Sequence, residues 1–149
     1  MAVDPGFVGR VYPPTAPFVV GREHLRDFAR AVGAVHPAFH DVAAARDLGH
    51  RDVVACPTFA VVIAQRAEAQ YVDDPAAGVD FTRVVHAEEH FTHHRPIVAG
   101  DELVTVLHVD QVTERAGLAL VTTRCEIADA AGEPVATVVS TLAVRGADA

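Results

Sequence analysis

Histidine is the residue type in this chain best suited to chemistry, because nine of the 149 residues are histidines. An imidazole gains and loses a proton near neutral pH, so a histidine beside a carboxylate is a candidate for general acid–base catalysis. His36, His40 and Asp41 lie together on one short segment. In this segment proton transfer is chemically feasible.

Five further histidines cluster later in the chain: His86, His90, His93, His94 and His108. So many imidazoles suggest a metal site. The surrounding residues favour an extended strand, however, and at roughly 3.3 Å per residue His86 and His90 would lie about 13 Å apart in it. His93 and His94 would point to opposite faces of that strand. We therefore predict no metal and no cofactor.

Alternation along this strand separates an apolar face from a polar one, and we expect the apolar face to meet the core. The apolar face carries Val85, Ala87, Glu89, Phe91 and His93. The other face carries His86, Glu88, His90 and His94. Glu89 is thereby a candidate substrate-binding residue. The alternative is a structural carboxylate held by hydrogen bonds.

Helices are predicted in the first half of the chain. A short strand at 18–20 precedes an amphipathic helix from Arg22 to Val32, and a second short helix runs from Val42 to Leu48. Pro57 is well placed as the first residue of a third helix. This helix, from Thr58 to Tyr71, is largely apolar, so we expect it to be buried and wrapped by a sheet.

Four long strands are predicted in the second half, where Val, Thr, Leu and Ile dominate and glycine-containing turns separate the runs. The strands are predicted at 82–95, 102–113, 117–129 and 134–145. One buried helix followed by four strands indicates an α+β fold, with an antiparallel sheet wrapped around a central helix in a single domain over 1–149. The open edge of such a sheet predicts at least a dimer.

The composition excludes several classes of function. The formal charge of −8 makes the chain a poor partner for nucleic acid or an anionic membrane. The N-terminus lacks a signal-peptide pattern, and the longest apolar run, Val53 to Ala64, is too short to span a bilayer. Cys56 and Cys125 are interpreted as buried small hydrophobic residues in a cytoplasmic protein.

Two segments carry recognisable motifs. Residues 31–59 read AVGAVHPAFHDVAAARDLGHRDVVACPTF, and residues 91–103 read FTHHRPIVAGDEL. The first resembles the hydratase segment of the MaoC-like (R)-hydroxyacyl dehydratase family, and the second is similar to that family's later Arg-Pro-x-x-Ala-Gly-Asp-x-Leu motif. The resemblance covers nearly the whole chain and is greatest for small actinobacterial proteins that include subunits of the mycobacterial-type heterodimeric hydroxyacyl-carrier dehydratase. It implies the hot-dog fold and the exchange of water across the double bond of a 2-enoyl thioester.

The resemblance also implies that the family's catalytic pair is missing. Ala34 stands where the family has its catalytic Asp, and Phe39 stands where it has its catalytic His. Neither a methyl nor a phenyl group can move a proton. His36, His40 and Asp41 are fallback acid–base candidates, and the alternative is that Asp41 caps the next helix while the histidines are ordinary loop residues.

The other half of the family's site is retained. Pro57, Thr58 and Phe59 open the central helix, where we expect the free N–H groups of Thr58 and Phe59 to bind a thioester. The leading hypothesis is a non-catalytic, substrate-shaping subunit that pairs with a paralogue carrying the Asp/His pair. The partners would be an acyl carrier protein or coenzyme A thioester in fatty-acid or polyketide assembly.

Three alternatives remain. The chain could be a self-sufficient dehydratase or hydratase that works as a homodimer with rearranged polar residues. It could be a hot-dog thioesterase, which ranks low because the first acid on the central helix, Glu68, lies far from the N-terminal end of that helix. It could also bind acyl thioesters with no role as an enzyme.

Overall fold

The chain folds with its helices first and its long strands second. A computed structural model describes residues 3–146. The helices are α1 (Arg22–Ala31), α2 (Val42–Asp47) and α3 (Ala60–Val72). The strands are β1 (Phe18–Val19), β2 (Val84–His93), β3 (Glu102–Arg115), β4 (Leu118–Asp129) and β5 (Pro134–Arg145). The predicted α+β class is confirmed.

All five described strands belong to one antiparallel sheet with the order β1-β3-β4-β5-β2. The β3–β4 hairpin turns at Ala116 and Gly117, whose φ angles of 52° and 79° match the twist of a two-residue hairpin. β2 pairs with β5 and not with its sequence neighbour β3, so β2 forms one edge of the sheet. The sheet curls around α3, and the predicted hot-dog architecture is confirmed.

Helix α3 fills the concave side of the sheet. Its buried face combines alanines at 60, 64 and 67 with the larger Ile63 and Tyr71. The small alanine side chains let β3, β4 and β5 approach the helix closely, which suits the packing density of a protein core. Within residues 3–146, no helix has the length and apolar character needed to cross a bilayer.

The start of the central helix differs from the prediction in its first turn. Pro57 to Phe59 form a 3-10 turn, and the α-helical hydrogen bonding begins at Ala60 and continues to Val72. The predicted helices α1 and α2 are confirmed, each one residue shorter at its C-terminal end. Gly33 and Gly49 follow them with φ angles of 72° and 90°, so each adopts the left-handed conformation that ends a helix.

A β-bulge in β2 overturns part of the predicted face assignment. The register with β5 shifts between His86 and Glu88, so strict alternation does not run through Ala87. Glu89 and Phe91 lie on the inner, partly buried face as predicted. Val85 is 66% exposed, however, and His86, although exposed, lies on the same face as the buried Leu142 with which it pairs, which reverses the predicted faces of both residues.

Candidate functional site

A cavity of about 430 Å³ lies at the N-terminal end of the central helix. We call it the helix-start cavity. Three segments form its walls: the 3-10 turn and the residues before it, the end of β2 with the loop that follows, and the region around Phe39. The lining residues are Phe39, His50, Val54, Ala55, Cys56, Pro57, His93, His94, Arg95, Pro96 and Ile97.

Ala34 and Phe39, the two positions that the resemblance assigns to the catalytic pair, are both half-buried. Phe39 lines the helix-start cavity and packs its ring edge-on against His36 at a centroid distance of 5.8 Å. Ala34 is not a lining residue, and its N–H donates to the carbonyl oxygen of Ala29 over 2.8 Å. At the position that the resemblance assigns to the catalytic histidine, the cavity therefore presents a phenyl ring.

The three fallback residues make hydrogen bonds that hold the local backbone. Nδ1 of His36 accepts from the N–H of Ala38 at 3.2 Å. Nε2 of His40 lies 2.7 Å from the carbonyl oxygen of Ala34 and must donate, because a carbonyl only accepts. Asp41 accepts from the N–H of Ala44 at 2.9 Å, which confirms the predicted cap of α2. None of the three fallback side chains lines the helix-start cavity.

The predicted thioester donors are only partly available. The N–H of Phe59 donates to the carbonyl oxygen of Cys56 over 2.9 Å, because a 3-10 turn bonds each residue to the third one before it. The expectation of a free donor is therefore wrong for Phe59 and stays a prediction for the exposed Thr58. The Phe59 side chain is fully buried and packs edge-on against Phe18 and Phe28.

His93 lines the helix-start cavity, a role that the sequence analysis did not assign to it. Its Nε2 lies 2.8 Å from the carbonyl oxygen of Pro57, so Nε2 carries a proton. The ring also stacks on Phe91 at 6.2 Å with an interplanar angle of 7°. His50 and His94 line the same cavity. These histidines come together only in the tertiary structure, because β2 runs antiparallel to α3 and the end of β2 lies beside the start of that helix.

Cys56 is buried and forms part of the wall of the helix-start cavity. Burial raises the pKa of its thiol, and this outweighs the lowering by hydrogen bonding from Thr58 and from the N–H of Phe59. The protonated thiol is therefore favoured at neutral pH, which makes Cys56 a poor nucleophile. Within residues 3–146, no group of three or more His, Cys, Asp or Glu side chains is arranged to hold a metal ion.

Glu89 lies outside the helix-start cavity and is held by the sheet. Its Oε1 accepts a hydrogen bond from Ser140 at 2.9 Å. Burial raises the pKa of Glu89, the nearby charge of Glu68 raises it further, and the hydrogen bond from Ser140 opposes both effects. The contact with Ser140 satisfies one carboxylate oxygen, as a structural role requires.

Arg95 and Asp101, in the motif at residues 91–103, hold the loop that forms one wall of the cavity. Asp101 is 5% exposed and accepts from Arg95 and Arg51 at 2.8 Å and from the N–H of Val98 at 2.9 Å. Burial raises the pKa of Asp101, but these hydrogen bonds outweigh it and hold the pKa below its ordinary value. The motif's Arg and Asp thereby fix the loop that carries Pro96 and Ile97.

Comparison with known proteins identifies the family. The profile of the family described as "FAS1-like, dehydratase domain region" matches residues 6–138. The chain belongs to this family. A UPF0336 protein of Clavibacter michiganensis subsp. michiganensis is 51% identical over 149 residues, covering all of both chains. Another UPF0336 protein, from Saccharopolyspora erythraea, is 49% identical over 146 residues, which are 98% of this chain and 94% of that protein.

Solved structures of dehydratases share the fold. A MaoC-like dehydratase superposes with a TM-score of 0.87 at 39% identity over 95% of this chain, which spans only 43% of that longer chain. The C-terminally truncated HadBC (3R-hydroxyacyl-ACP dehydratase) complex of Mycobacterium tuberculosis superposes with a TM-score of 0.82 at 35% identity, over 96% of this chain and 99% of that one. The predicted relation to MaoC-like dehydratases is confirmed.

Proposed function

We propose that this chain is a non-catalytic, substrate-shaping subunit of a heterodimeric (3R)-hydroxyacyl-ACP or -CoA dehydratase in fatty-acid or polyketide assembly. One observation carries the proposal: Phe39 lines the helix-start cavity at the position of the family's catalytic histidine, and Ala34 replaces the aspartate. The similarity to a subunit of the HadBC dehydratase complex supports it.

The chemistry defines what a partner must add. Dehydration needs a base to remove the C2 proton and an acid to protonate the leaving hydroxyl group. The fallback residues His36, His40 and Asp41 are engaged with backbone groups and do not line the cavity. The acid and the base would therefore come from the partner, while this chain holds the acyl group.

The edge strand β2 offers a surface for that partner. β2 pairs only with β5, so the backbone N–H and C=O groups of its other side are unpaired with any described strand. Val85 and Phe81, beside this edge, are 66% and 67% exposed. An open edge with exposed apolar side chains is the kind of surface that a second sheet covers.

The test is co-expression with a paralogue from the same genome that retains the Asp/His pair. The complex is expected to co-purify as a 1:1 heterodimer and to dehydrate (3R)-hydroxyacyl thioesters. Each chain is purified alone as a control. This chain alone is expected to hydrate crotonyl-CoA at the buffer rate, because removing an acid–base group typically costs about 10²–10⁴-fold.

Two results would overturn the proposal. One is robust hydration by the pure chain, which would favour a self-sufficient enzyme. The other is a paralogue whose activity and acyl-chain preference are unchanged by the presence of this chain. A complex in which Phe39→Ala shifts the chain-length preference without altering the rate on a short substrate would support a shaping role directly.

A further inference from the structure

A second cavity lies beside the C-terminal half of α3, between that helix and strand β2. It has a volume of about 270 Å³. Apolar side chains form most of its wall, joined by the buried carboxylate of Glu68 and the exposed carboxylate of Asp73. Its lining includes Gln65, Glu68, Val72, Phe81, His86 and Leu142. We call it the acidic cavity, because Glu68 lines it, no arginine is among its lining residues, and the chain has no lysine.

Glu68 is an unusual residue for the inside of a core. It is 3% exposed, and its Oε1 accepts a hydrogen bond from the hydroxyl group of Thr123 at 2.8 Å. Within residues 3–146, Glu68 has no other hydrogen bond and no ion pair. The other oxygen, Oε2, is not fully enclosed, and because Glu68 lines the acidic cavity, Oε2 is free to accept a hydrogen bond from a molecule bound there.

A second carboxylate lies close to the first. The sheet register aligns Glu89 with Ser140 and Ser140 with Thr123, so the partners of both carboxylates stand in one row on the inner face. Oε2 of Glu89 is buried and has no hydrogen-bond partner among the described residues. A fully buried acceptor without a donor thus lies near the cavity-facing oxygen of Glu68.

The two cavities lie at opposite ends of the same helix–strand boundary. Pro57 and His93 line the helix-start cavity, whereas Glu68 and His86 line the acidic cavity. Glu68 lies eleven positions after Pro57, which is about 16 Å at 1.5 Å per residue along the helix axis. With bonds of about 1.5 Å and angles of about 111°, an extended chain advances about 1.25 Å per bond, so a twelve-carbon chain with a terminal donor spans about 15 Å and its hydrogen bond covers the remaining distance.

We propose that the acidic cavity selects acyl chains that carry a hydrogen-bond donor, a hydroxyl or ammonium group, near their distal end. This inference rests on the proposed function, because the thioester end must occupy the helix-start cavity. The apolar wall contacts the methylene groups, and the free oxygen of Glu68 accepts from the distal donor. A plain alkyl end of the same length would displace water from Oε2 of Glu68 and offer it no hydrogen bond, which disfavours its binding.

The test compares four coenzyme A thioesters by calorimetry with the purified full-length chain. Dodecanoyl-, 12-hydroxydodecanoyl- and 12-aminododecanoyl-CoA are long enough to reach Glu68, whereas hexanoyl-CoA is not. At least one of the two donor-bearing probes is expected to bind about tenfold more tightly than dodecanoyl-CoA, as one hydrogen bond to a charged group provides. The probe with the larger gain identifies the donor as hydroxyl or ammonium.

Variants test whether Glu68 causes the preference. Glu68→Leu is expected to abolish it, and Glu68→Gln, which retains an acceptor for Thr123, is expected to remove the gain of the ammonium probe. Glu114→Gln makes the same change on an exposed part of β3 and should leave all affinities unchanged. Circular dichroism checks that each variant folds. Where Glu68→Leu does not fold, Glu68→Gln decides for the ammonium probe, and for the hydroxyl probe a weaker gain is expected because a neutral amide oxygen accepts less strongly than a carboxylate.

The probes separate two kinds of failure. If hexanoyl-CoA binds and the donor-bearing probes bind no better than dodecanoyl-CoA, the selection by the acidic cavity is refuted and thioester binding stands. If hexanoyl-CoA also fails to bind, thioester binding by this chain is refuted, and the selection falls with it. A gain that persists in Glu68→Leu would assign the donor contact to another residue and overturn the role of Glu68.

Discussion

His93 donates a hydrogen bond from Nε2 to the carbonyl oxygen of Pro57 over 2.8 Å. This contact joins the end of the edge strand β2 to the turn that begins the central helix. The residues on either side of it line the helix-start cavity, so the contact helps to set the cavity's width. It also explains how a histidine far along the chain comes to lie beside the proposed thioester site.

His93→Ala is expected to lower the free energy of unfolding by about 1 kcal/mol, the usual net contribution of one hydrogen bond. Urea denaturation followed by circular dichroism measures this. His90→Ala is the matched control on the same strand, because the His90 side chain is 70% exposed and has only a 3.5 Å contact to Glu88. An equal loss of stability in both variants would show that the contact with Pro57 contributes nothing.

Ala116→Asn is expected to stabilise the β3–β4 hairpin. Ala116 has a φ of 52°, in the left-handed region that costs an ordinary L-residue about 1–2 kcal/mol and that asparagine tolerates better. The variant creates Asn-Gly, the sequence that two-residue hairpins of this twist prefer. A rise in Tm by differential scanning calorimetry is expected, and Gly117→Ala at the neighbouring position (φ of 79°) should lower Tm. An unchanged or lower Tm for Ala116→Asn would contradict the expectation.

Asp101→Asn is expected to cost about 2–3 kcal/mol at neutral pH, because it removes a buried carboxylate that accepts two charged hydrogen bonds, with both arginines partly exposed to solvent. The pKa of Asp101 is lowered in the folded state. Its contribution is therefore present above the unfolded pKa of about 3.9 and is lost as the pH falls through the folded value.

The difference in stability between the wild type and Asp101→Asn should accordingly be constant from pH 6 to 8 and should shrink on acidification below about pH 4. Denaturation at several pH values measures it. Asp47→Asn, at an exposed carboxylate in α2, is the control and should show little effect. A difference that grows as the pH falls would mean that the pKa is shifted in the other direction.

The general fold was predictable because its signals are local. Proline and glycine marked the ends of α1, α2 and α3, and the strand positions followed from β-rich runs between turns. The predicted 117–129 and 134–145 agree with β4 and β5 to within one residue. Boundaries such as the first turn of α3 were less accurate, because a 3-10 start and an α-helical start have the same sequence signature.

The candidate site was less predictable because it is assembled from distant segments. The bulge at Ala87 places His86 on the face opposite to the predicted one, and no glycine or proline at that point signals the bulge. The contact of His93 with Pro57 and the row of Glu89, Ser140 and Thr123 depend on strand order and register, since β2 pairs with the last strand. Sequence alternation assigned a face to these residues but could not name their neighbours.

The double variant Ala34→Asp with Phe39→His is expected to acquire measurable hydratase activity on crotonyl-CoA, because it restores both proton-transfer groups. Each single variant should remain at the buffer rate, since one group alone cannot hold and activate the same water. Introducing polar groups at two half-buried positions should cost about 1–3 kcal/mol of stability. Stopped spectrophotometric assays measure the hydratase activity. Circular dichroism checks the folding of each variant and measures the loss of stability.

The matched control for this variant is Val35→Asp with Phe39→His, which places the carboxylate at a neighbouring residue that is 86% exposed. It should fold and remain inactive, because an exposed carboxylate cannot share a water with an imidazole inside the cavity. If the double variant at 34 and 39 folds, binds hexanoyl-CoA and still shows no hydration, these positions do not face the thioester in this chain. Phe39 would then not stand in place of a catalytic group, and the observation that carries the proposed function would be lost.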